Sequence, residues 1–121
     1  MRVIIAGSRS LTDMQHINDA VAASGFDVGV VLCGMANGVD LLGKEWADYL
    51  EIPVLKYPAD WDRHGKSAGY IRNKQMAADA HALIAVWDGV SAGTQHMINI
   101  AKERNLKVYI HLPEGYKSVE I

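Results

Sequence analysis

Residues 3–9 read VIIAGSR, an apolar run from Val3 to Ala6 that stops at Gly7 and Ser8. A short run of branched apolar residues closed by glycine is typical of a strand that is buried on both faces of a parallel sheet. Further runs of this kind bring the number of predicted strands to five: Val28 to Cys33, Val54 to Tyr57, Leu83 to Trp87 and Val108 to Ile110.

Helical patterns fill the segments between these strands. Apolar residues recur three and four positions apart in two segments, at Met14, Ile17 and Val21 and at Val39, Leu42, Trp46 and Leu50. The composition of Tyr70 to Ala80 and of Gln95 to Arg104 also suits helices. Strict alternation of strand and helix predicts right-handed crossovers and a mostly parallel sheet covered on both faces, which is a three-layer α/β domain.

The stretch from Pro58 to Ala68, PADWDRHGKSA, shows neither pattern. It predicts a long irregular loop, and a loop of this size in a compact domain is more often functional than not.

The composition is that of one globular domain, because 50% of the 121 residues are hydrophobic and 21% are charged. Twelve Lys and Arg against fourteen Asp and Glu give a net charge of -2, which does not provide the basic field of a dedicated duplex-DNA binder. The single cysteine cannot form an intramolecular disulfide, and no apolar stretch approaches the roughly 18 to 20 residues of a membrane span. We therefore expect a cytoplasmic protein with one domain at residues 1–112 and a loosely held C-terminal tail at 113–121.

The ligand site of such a sheet is expected at the carboxyl ends of the strands, where the strand order reverses. A strand order of 3-2-1-4-5 puts Gly7-Ser8-Arg9 opposite the loop DGVSAGT at 88–94. Glycines in that loop permit close approach of a ligand, and a helix that starts near Thr94 presents unpaired N–H groups to an anion such as phosphate. Arg9 would add a bidentate donor. Ordinary turns and helix caps use the same residue types, so the pattern alone leaves both interpretations open.

Other known motifs do not apply. Gly65-Lys66-Ser67 resembles the end of a P-loop, but Asp60 stands where that motif needs glycine. No G-x-G-x-x-G follows the first strand, which argues against an oxidoreductase-type dinucleotide site. Cys33 suits a packing role, and four histidines show no metal-ligand spacing with it or with one another: His16, His81, His96 and His111. We expect no metal and no cofactor.

Five short motifs follow one another along nearly the whole chain. They are Gly7-Ser8-Arg9 after the first strand, CGMANGVD at 33–40, ADW at 59–61, AGYIRN at 68–73 and GVSAGT at 89–94. In this combination the chain resembles the YspA/YpsA-type branch of the SLOG superfamily, which also contains DprA and the LOG phosphoribohydrolases. The resemblance implies a Rossmann-like domain whose pocket takes a nucleotide or a nucleotide-derived ligand. It also implies a role as a ligand sensor in phage and bacterial conflict systems and assembly into a homo-oligomer.

The resemblance implies ligand contacts at four places in the chain. They are the first strand-to-helix turn, the second strand-to-helix turn, the start of the third helix and a glycine-rich phosphate loop. The residues are Gly7, Ser8, Arg9, Gly34, Gly38, Asp40, Arg72, Asn73, Gly89, Gly93 and Thr94. The chain departs from the phosphoribohydrolases at Met97, where those enzymes have a glutamate three residues after their Gly-Thr pair. The departure leaves binding supported and removes the expected acid catalyst of N-glycosidic hydrolysis.

Three further side chains have two interpretations each. Trp61 and Tyr70 would either stack on a base or cover the edge of the sheet, and we favour stacking by Trp61. Asp40 suits a contact to a ribose hydroxyl and equally suits the first turn of a helix, where a carboxylate offsets the dipole.

These patterns favour a module that binds a phosphate- and ribose-bearing ligand. The first alternative is an enzyme that cleaves the N-glycosidic bond of nucleoside monophosphates, in which Arg72 stabilises the developing charge and Asp40 or Asp88 replaces the missing glutamate. The second is DprA-like binding of single-stranded nucleic acid, which the acidic net charge and small size disfavour.

Overall fold

The computed structural model describes residues 1–113 and the strand at 119–120. Along the chain the elements are β1 (Arg2–Gly7), α1 (Met14–Ser24), β2 (Val30–Cys33), α2 (Val39–Tyr49), β3 (Val54–Lys56), α3 (Trp61–His64), a 3-10 turn (Gly65–Ser67), α4 (Ala68–Asp79), β4 (Ala82–Val86), α5 (Ala92–Glu103), β5 (Lys107–His111) and β6 (Val119–Glu120). No helix in residues 1–113 combines the length and the apolar character needed to cross a bilayer.

One sheet contains all of these strands, in the order β3-β2-β1-β4-β5-β6. The first five are parallel, with Val3 opposite both Val31 of β2 and Ala82 of β4. The predicted order 3-2-1-4-5 is therefore confirmed.

The tail predicted at 113–121 adds an element to this sheet. Strand β6 pairs antiparallel with β5, Val119 lying opposite Ile110. Residues 114–118 and 121 lie outside the described residues, and the domain boundary at residue 112 stays a prediction.

Successive residues of β1 enter opposite faces of the sheet, because side chains alternate along a strand. Val3 and Ile5 pack with α1 and α2, in a cluster that includes Ile17 and Val39. Ile4 packs on the other face with α4 and α5, in the cluster of Met76, Met97 and Ile98. The three-layer architecture is thus confirmed, and β1 contributes to both halves of the core.

Local boundaries differ from the predictions in the second half of the chain. The stretch from Pro58 to Ala68 is not irregular throughout: Asp60 Oδ1 accepts a hydrogen bond from the Arg63 amide at 3.2 Å and caps the short helix α3. Helix α4 begins at Ala68, so Arg72 and Asn73 lie in its second turn rather than at its start.

The end of β1 depends on Gly7. A Cβ at this position would lie 1.9 Å from the carbonyl oxygen of Val86 in β4 and 2.9 Å from Val39 Cγ1. The Ser8 amide then donates to the same Val86 oxygen at 3.1 Å. Only a glycine permits this close pairing of β1 with β4, which directs Ser8 and Arg9 to the carboxyl edge of the sheet.

We expect Gly7→Ala to lower the free energy of unfolding by about 3 kcal/mol or more, because the added methyl meets backbone that cannot move without breaking the β1–β4 pairing. Urea denaturation would measure the change. Gly93→Ala is the matched control: a Cβ there has nothing within 4 Å, so its stability should equal that of the parent or exceed it by up to about 1 kcal/mol. Equal stability of Gly7→Ala and the parent would contradict the assigned role of Gly7.

Candidate functional site

A cavity of about 490 Å³ opens at the carboxyl edge of the sheet, where β1 and β4 lie side by side. Its walls come from the end of β1, from the loops after β1, β2 and β4, from helices α2, α3, α4 and α5, and from the 3-10 turn. The lining residues are Ala6, Gly7, Arg9, Ser10, Ala36, Asp40, Trp61, Lys66, Gly69, Tyr70, Arg72, Asn73, Asp88, Ser91, Gly93, Thr94 and Met97.

Most of the predicted ligand residues meet at this cavity. Those in its wall are Gly7, Arg9, Asp40, Trp61, Arg72, Asn73, Gly93 and Thr94, together with the catalytic candidate Asp88. The wall also contains five small residues that were not predicted as ligand contacts, although three of them belong to the quoted motifs: Ala6, Ser10, Ala36, Gly69 and Ser91. Whether any of these residues contacts a ligand stays a prediction.

Four predicted residues do not line the cavity: Ser8, Gly34, Gly38 and Gly89. Three of them support residues that do. Ser8 is 1% exposed, and its Oγ accepts from the Asp88 amide at 2.9 Å, which ties the loop after β1 to the loop after β4. Gly38 has a φ of 79°, and a Cβ there would lie 2.5 Å from the Arg9 carbonyl oxygen. Gly34 provides the carbonyl that accepts a hydrogen bond from Arg72 Nη1.

Arg72 is held by a network that joins α4 to its neighbours. Its Nε donates to Asn73 Oδ1 at 3.1 Å, in addition to the bond from Nη1 to Gly34. Asn73 is 5% exposed; its Nδ2 donates to the Gly93 carbonyl at 3.3 Å and lies 3.1 Å from His96 Nδ1. Both polar atoms of Asn73 are therefore engaged within the protein, and this side chain positions Arg72 against the first turn of α5.

Asp40 is a buried carboxyl beside this arginine. A methyl added at Gly34 would sit 2.7 Å from Asp40 Oδ2 and 2.7 Å from Arg72 Nη1, so the two groups flank the same point of the backbone. Burial raises the pKa of Asp40 to about 6 and outweighs the opposing attraction of Arg72 and the hydrogen bond from the Ala36 amide at 3.3 Å. Asp40 thus does more than offset the dipole of its own helix: its carboxyl interacts electrostatically with Arg72 and accepts the Ala36 amide of the turn before α2.

Cys33 lies beneath Asp40 and is fully buried. Its Sγ donates to the Asp40 carbonyl at 3.3 Å, and burial raises the pKa of the thiol. A buried, protonated thiol is a poor nucleophile, which agrees with the packing role expected for this residue.

The pKa of Asp88 is shifted in the opposite direction to that of Asp40. Its Oδ1 accepts hydrogen bonds from the amides of Val90 at 2.9 Å and Ser91 at 2.8 Å, and these bonds lower the pKa of the carboxyl. Trp87 Nε1 also donates to the Ser91 carbonyl at 3.1 Å. Asp88 therefore shapes the turn that leads into α5 and is ill suited to act as a proton donor.

The amino end of α5 forms one wall of the cavity through Gly93 and Thr94. Its N-cap residue, Ser91, makes no side-chain capping hydrogen bond, and the first turn contains no acidic residue. The amide groups of a first helical turn lack intrahelical partners and carry the positive end of the helix dipole. This wall is therefore suited to an anion.

Away from the cavity, the structure brings together two histidines that are 95 positions apart. His16 Nδ1 and His111 Nε2 lie 3.2 Å from each other, a contact that sequence spacing cannot reveal. Among the residues that the structure describes, no group of three or more His, Cys, Asp or Glu is arranged to hold a metal ion.

Comparison with known proteins decides the family. Residues 1–64 match the family described as YAcAr: YspA, cpYpsA-related SLOG family. The Gene 61 protein of Mycobacterium phage D29 is 34% identical over 117 residues, which covers 88% of this chain and 93% of that protein. The chain belongs to the YspA/cpYpsA-related SLOG family. The resemblance inferred from the five motifs is thereby confirmed.

The family match includes Gly7, Arg9 and Asp40, whereas Arg72 and α5 lie beyond residue 64. For that second half the fold itself is informative. The X-ray structure of DNA processing protein A (DprA) from Streptococcus pneumoniae superposes with a TM-score of 0.73 over 90% of this chain, at 16% identity. This chain spans about half of that structure, 49% of its length. The likeness confirms the Rossmann-like fold that the SLOG resemblance implies.

We expect Asp40→Asn to change how stability depends on pH. Because folding raises the pKa of Asp40 from 3.8 to about 6, the folded state keeps a proton that the unfolded state has lost, and the parent loses stability as the pH rises from about 4 to about 6. The asparagine variant lacks this loss, so its stability relative to the parent should rise across that window by up to about 3 kcal/mol and stay constant above it.

Urea denaturation at pH 4, 5, 6, 7 and 8 measures this difference. Glu45→Gln is the control, since Glu45 is an exposed carboxyl on the same helix, α2. A difference between Asp40→Asn and the parent that is independent of pH would show that the Asp40 carboxyl ionises normally in the folded protein.

Proposed function

We propose that the cavity binds a nucleotide or nucleotide-derived ligand through its phosphate, without an obligatory chemical step. The proposal rests on one observation. Three cationic side chains, those of Arg9, Lys66 and Arg72, line the same cavity as the amino end of α5. Charged hydrogen bonds from guanidinium groups and the amides of a first helical turn are the contacts that proteins use for phosphate.

The cations of the wall outnumber its carboxylates, because Arg9, Lys66 and Arg72 face Asp40 and Asp88. Asp88 Oδ1 accepts hydrogen bonds from the amides of its own turn, and Asp40 is buried. Arg72 is held by two uncharged oxygens, the Gly34 carbonyl and Asn73 Oδ1, so its orientation is set before any ligand arrives. Such preorganisation lowers the entropic cost of binding.

Membership of the SLOG family supports a sensing or sequestering role, and the phage relative fits the conflict systems in which such proteins are expected. Self-association into a dimer or higher oligomer is part of the same proposal.

We expect Arg9→Ala and Arg72→Ala each to weaken phosphate-dependent binding by about 1.5 to 3 kcal/mol, the value of one charged hydrogen bond. Calorimetric titration with ribose 5-phosphate and with AMP, GMP, CMP and UMP gives the affinities. Arg104→Ala is the control, because Arg104 is exposed at the opposite end of α5. Affinities that are the same in all three variants as in the parent would rule out a phosphate-centred site.

One observation favours the alternative that the protein cleaves an N-glycosidic bond. Asp40 lines the cavity next to Arg72, and burial raises its pKa to about 6, a value at which a carboxyl can act as a general acid near neutral pH. Against this, Met97 takes the place of the phosphoribohydrolase glutamate and is 1% exposed within the core. A methionine cannot transfer a proton, so Asp40 would have to act alone.

We expect no release of free base above background when the protein is incubated with nucleoside monophosphates that it binds. Chromatographic detection of adenine, guanine, cytosine and uracil provides the measurement, with Asp40→Asn and Asp88→Asn assayed in parallel. Turnover by the parent that Asp40→Asn abolishes, while ligand affinity persists, would establish the enzymatic alternative and identify Asp40 as the acid.

A further inference from the structure

Two exposed aromatic side chains lie at the rim of the cavity and do not belong to the hydrophobic core. Trp61 is 52% exposed and Tyr70 is 45% exposed, and both line the cavity. Among the described residues only one other aromatic side chain, Tyr49, belongs to the large exposed hydrophobics. Two of these three exposed aromatic residues therefore lie at one site.

Packing does not account for this exposure. The other two tryptophans, Trp46 and Trp87, are partly buried and pack against the hydrophobic clusters on the two faces of the sheet. Trp61 and Tyr70 belong to neither cluster. The interpretation that these two rings cover the sheet edge is therefore not supported by their surroundings.

Tyr70 is nevertheless held in place. Its ring lies on the imidazole of His96 in α5, with ring centroids 4.1 Å apart and an interplanar angle of 31°. His96 in turn contacts Asn73, the residue that positions Arg72. The aromatic rim and the cationic wall thus belong to one connected network.

Gly69 brings Trp61 close to the same arginine. A methyl at Gly69 would lie 3.6 Å from Trp61 Cη2 and 3.5 Å from Arg72 Nη2, so the indole and the guanidinium flank the same point of α4. The cavity therefore has an anion-binding wall and, directly beside it, a flat apolar surface.

We propose that Trp61 and Tyr70 form a base-binding subsite, which selects ligands that carry a planar heteroaromatic base next to their phosphate. The inference rests on the proposed phosphate site and adds to it the two residues that recognise the base. An aromatic platform accepts the π-face of any base, whereas a sugar phosphate has no such face to offer. Selectivity in this cavity then comes from stacking on the rim, and the cationic wall supplies the attraction that is common to all phosphorylated ligands.

Calorimetric titration of the full chain with AMP, GMP, CMP and UMP, compared with ribose 5-phosphate, tests the subsite. At least one mononucleotide should bind about 5- to 100-fold more tightly than ribose 5-phosphate, which corresponds to one stacked base. Trp61→Ala should reduce this ratio while leaving the affinity for ribose 5-phosphate within about twofold of the parent, and Tyr70→Ala should also reduce the ratio. Trp61→Phe should retain most of the ratio, because it keeps an aromatic face.

Tyr49→Ala is the matched control: Tyr49 is 88% exposed at the end of α2 and does not line the cavity. If ribose 5-phosphate binds as tightly as every mononucleotide, or if the alanine variants weaken all ligands equally, the base-binding subsite is wrong and the phosphate site stands. If neither ribose 5-phosphate nor any mononucleotide binds, both proposals are wrong.

Discussion

The parallel pairing of β1 with β4 is the constraint on which the rest of this molecule depends. These strands are separated in sequence by two strands and four helices, yet they lie in contact from Val3 opposite Ala82 to Gly7 opposite Val86. At the last of these pairs the backbones approach too closely for any side chain larger than hydrogen. Because parallel strands end at the same edge, this pairing brings the loops after β1 and β4 together and creates the crevice between them.

The crevice also contains two charged groups whose desolvation would be unfavourable if either were buried alone. Asp40 and Arg72 are both removed from much of the solvent, and each offsets part of the desolvation cost of the other. Neutral oxygens of Gly34 and Asn73 complete the hydrogen bonding of the guanidinium. The orientation of the Arg72 guanidinium is therefore determined by contacts with α4 and with the end of β2. A flexible surface arginine would lack such contacts. Such an arrangement suits recognition, since little ordering is left for the ligand to induce.

Much of the fold followed from local patterns. Apolar runs such as VIIA located the buried strands, and their alternation with helical spacing led to the three-layer architecture and the strand order. The same reasoning placed Gly7-Ser8-Arg9 opposite the loop at 88–94, which the hydrogen bond from the Asp88 amide to Ser8 Oγ bears out. Local patterns missed α3, because a four-residue helix capped by Asp60 has too little periodicity to be recognised. They also missed β6, which is a two-residue strand.

Within the site, the sequence by itself determined which residue types would stand at the carboxyl edge of the sheet. The reason is that strand ends and turn glycines can be recognised from a few consecutive residues. It could not decide which of those residues face the cavity. Ser8, Gly34 and Gly38 turned out to support their neighbours, whereas Ser10, Ala36 and Ser91 line the wall. The raised pKa of Asp40 and the stacking of Tyr70 on His96 were likewise decided only by tertiary structure. The physical reason is that burial, and contact between separate helices, depend on how elements far apart in the chain pack together, and no local pattern encodes that.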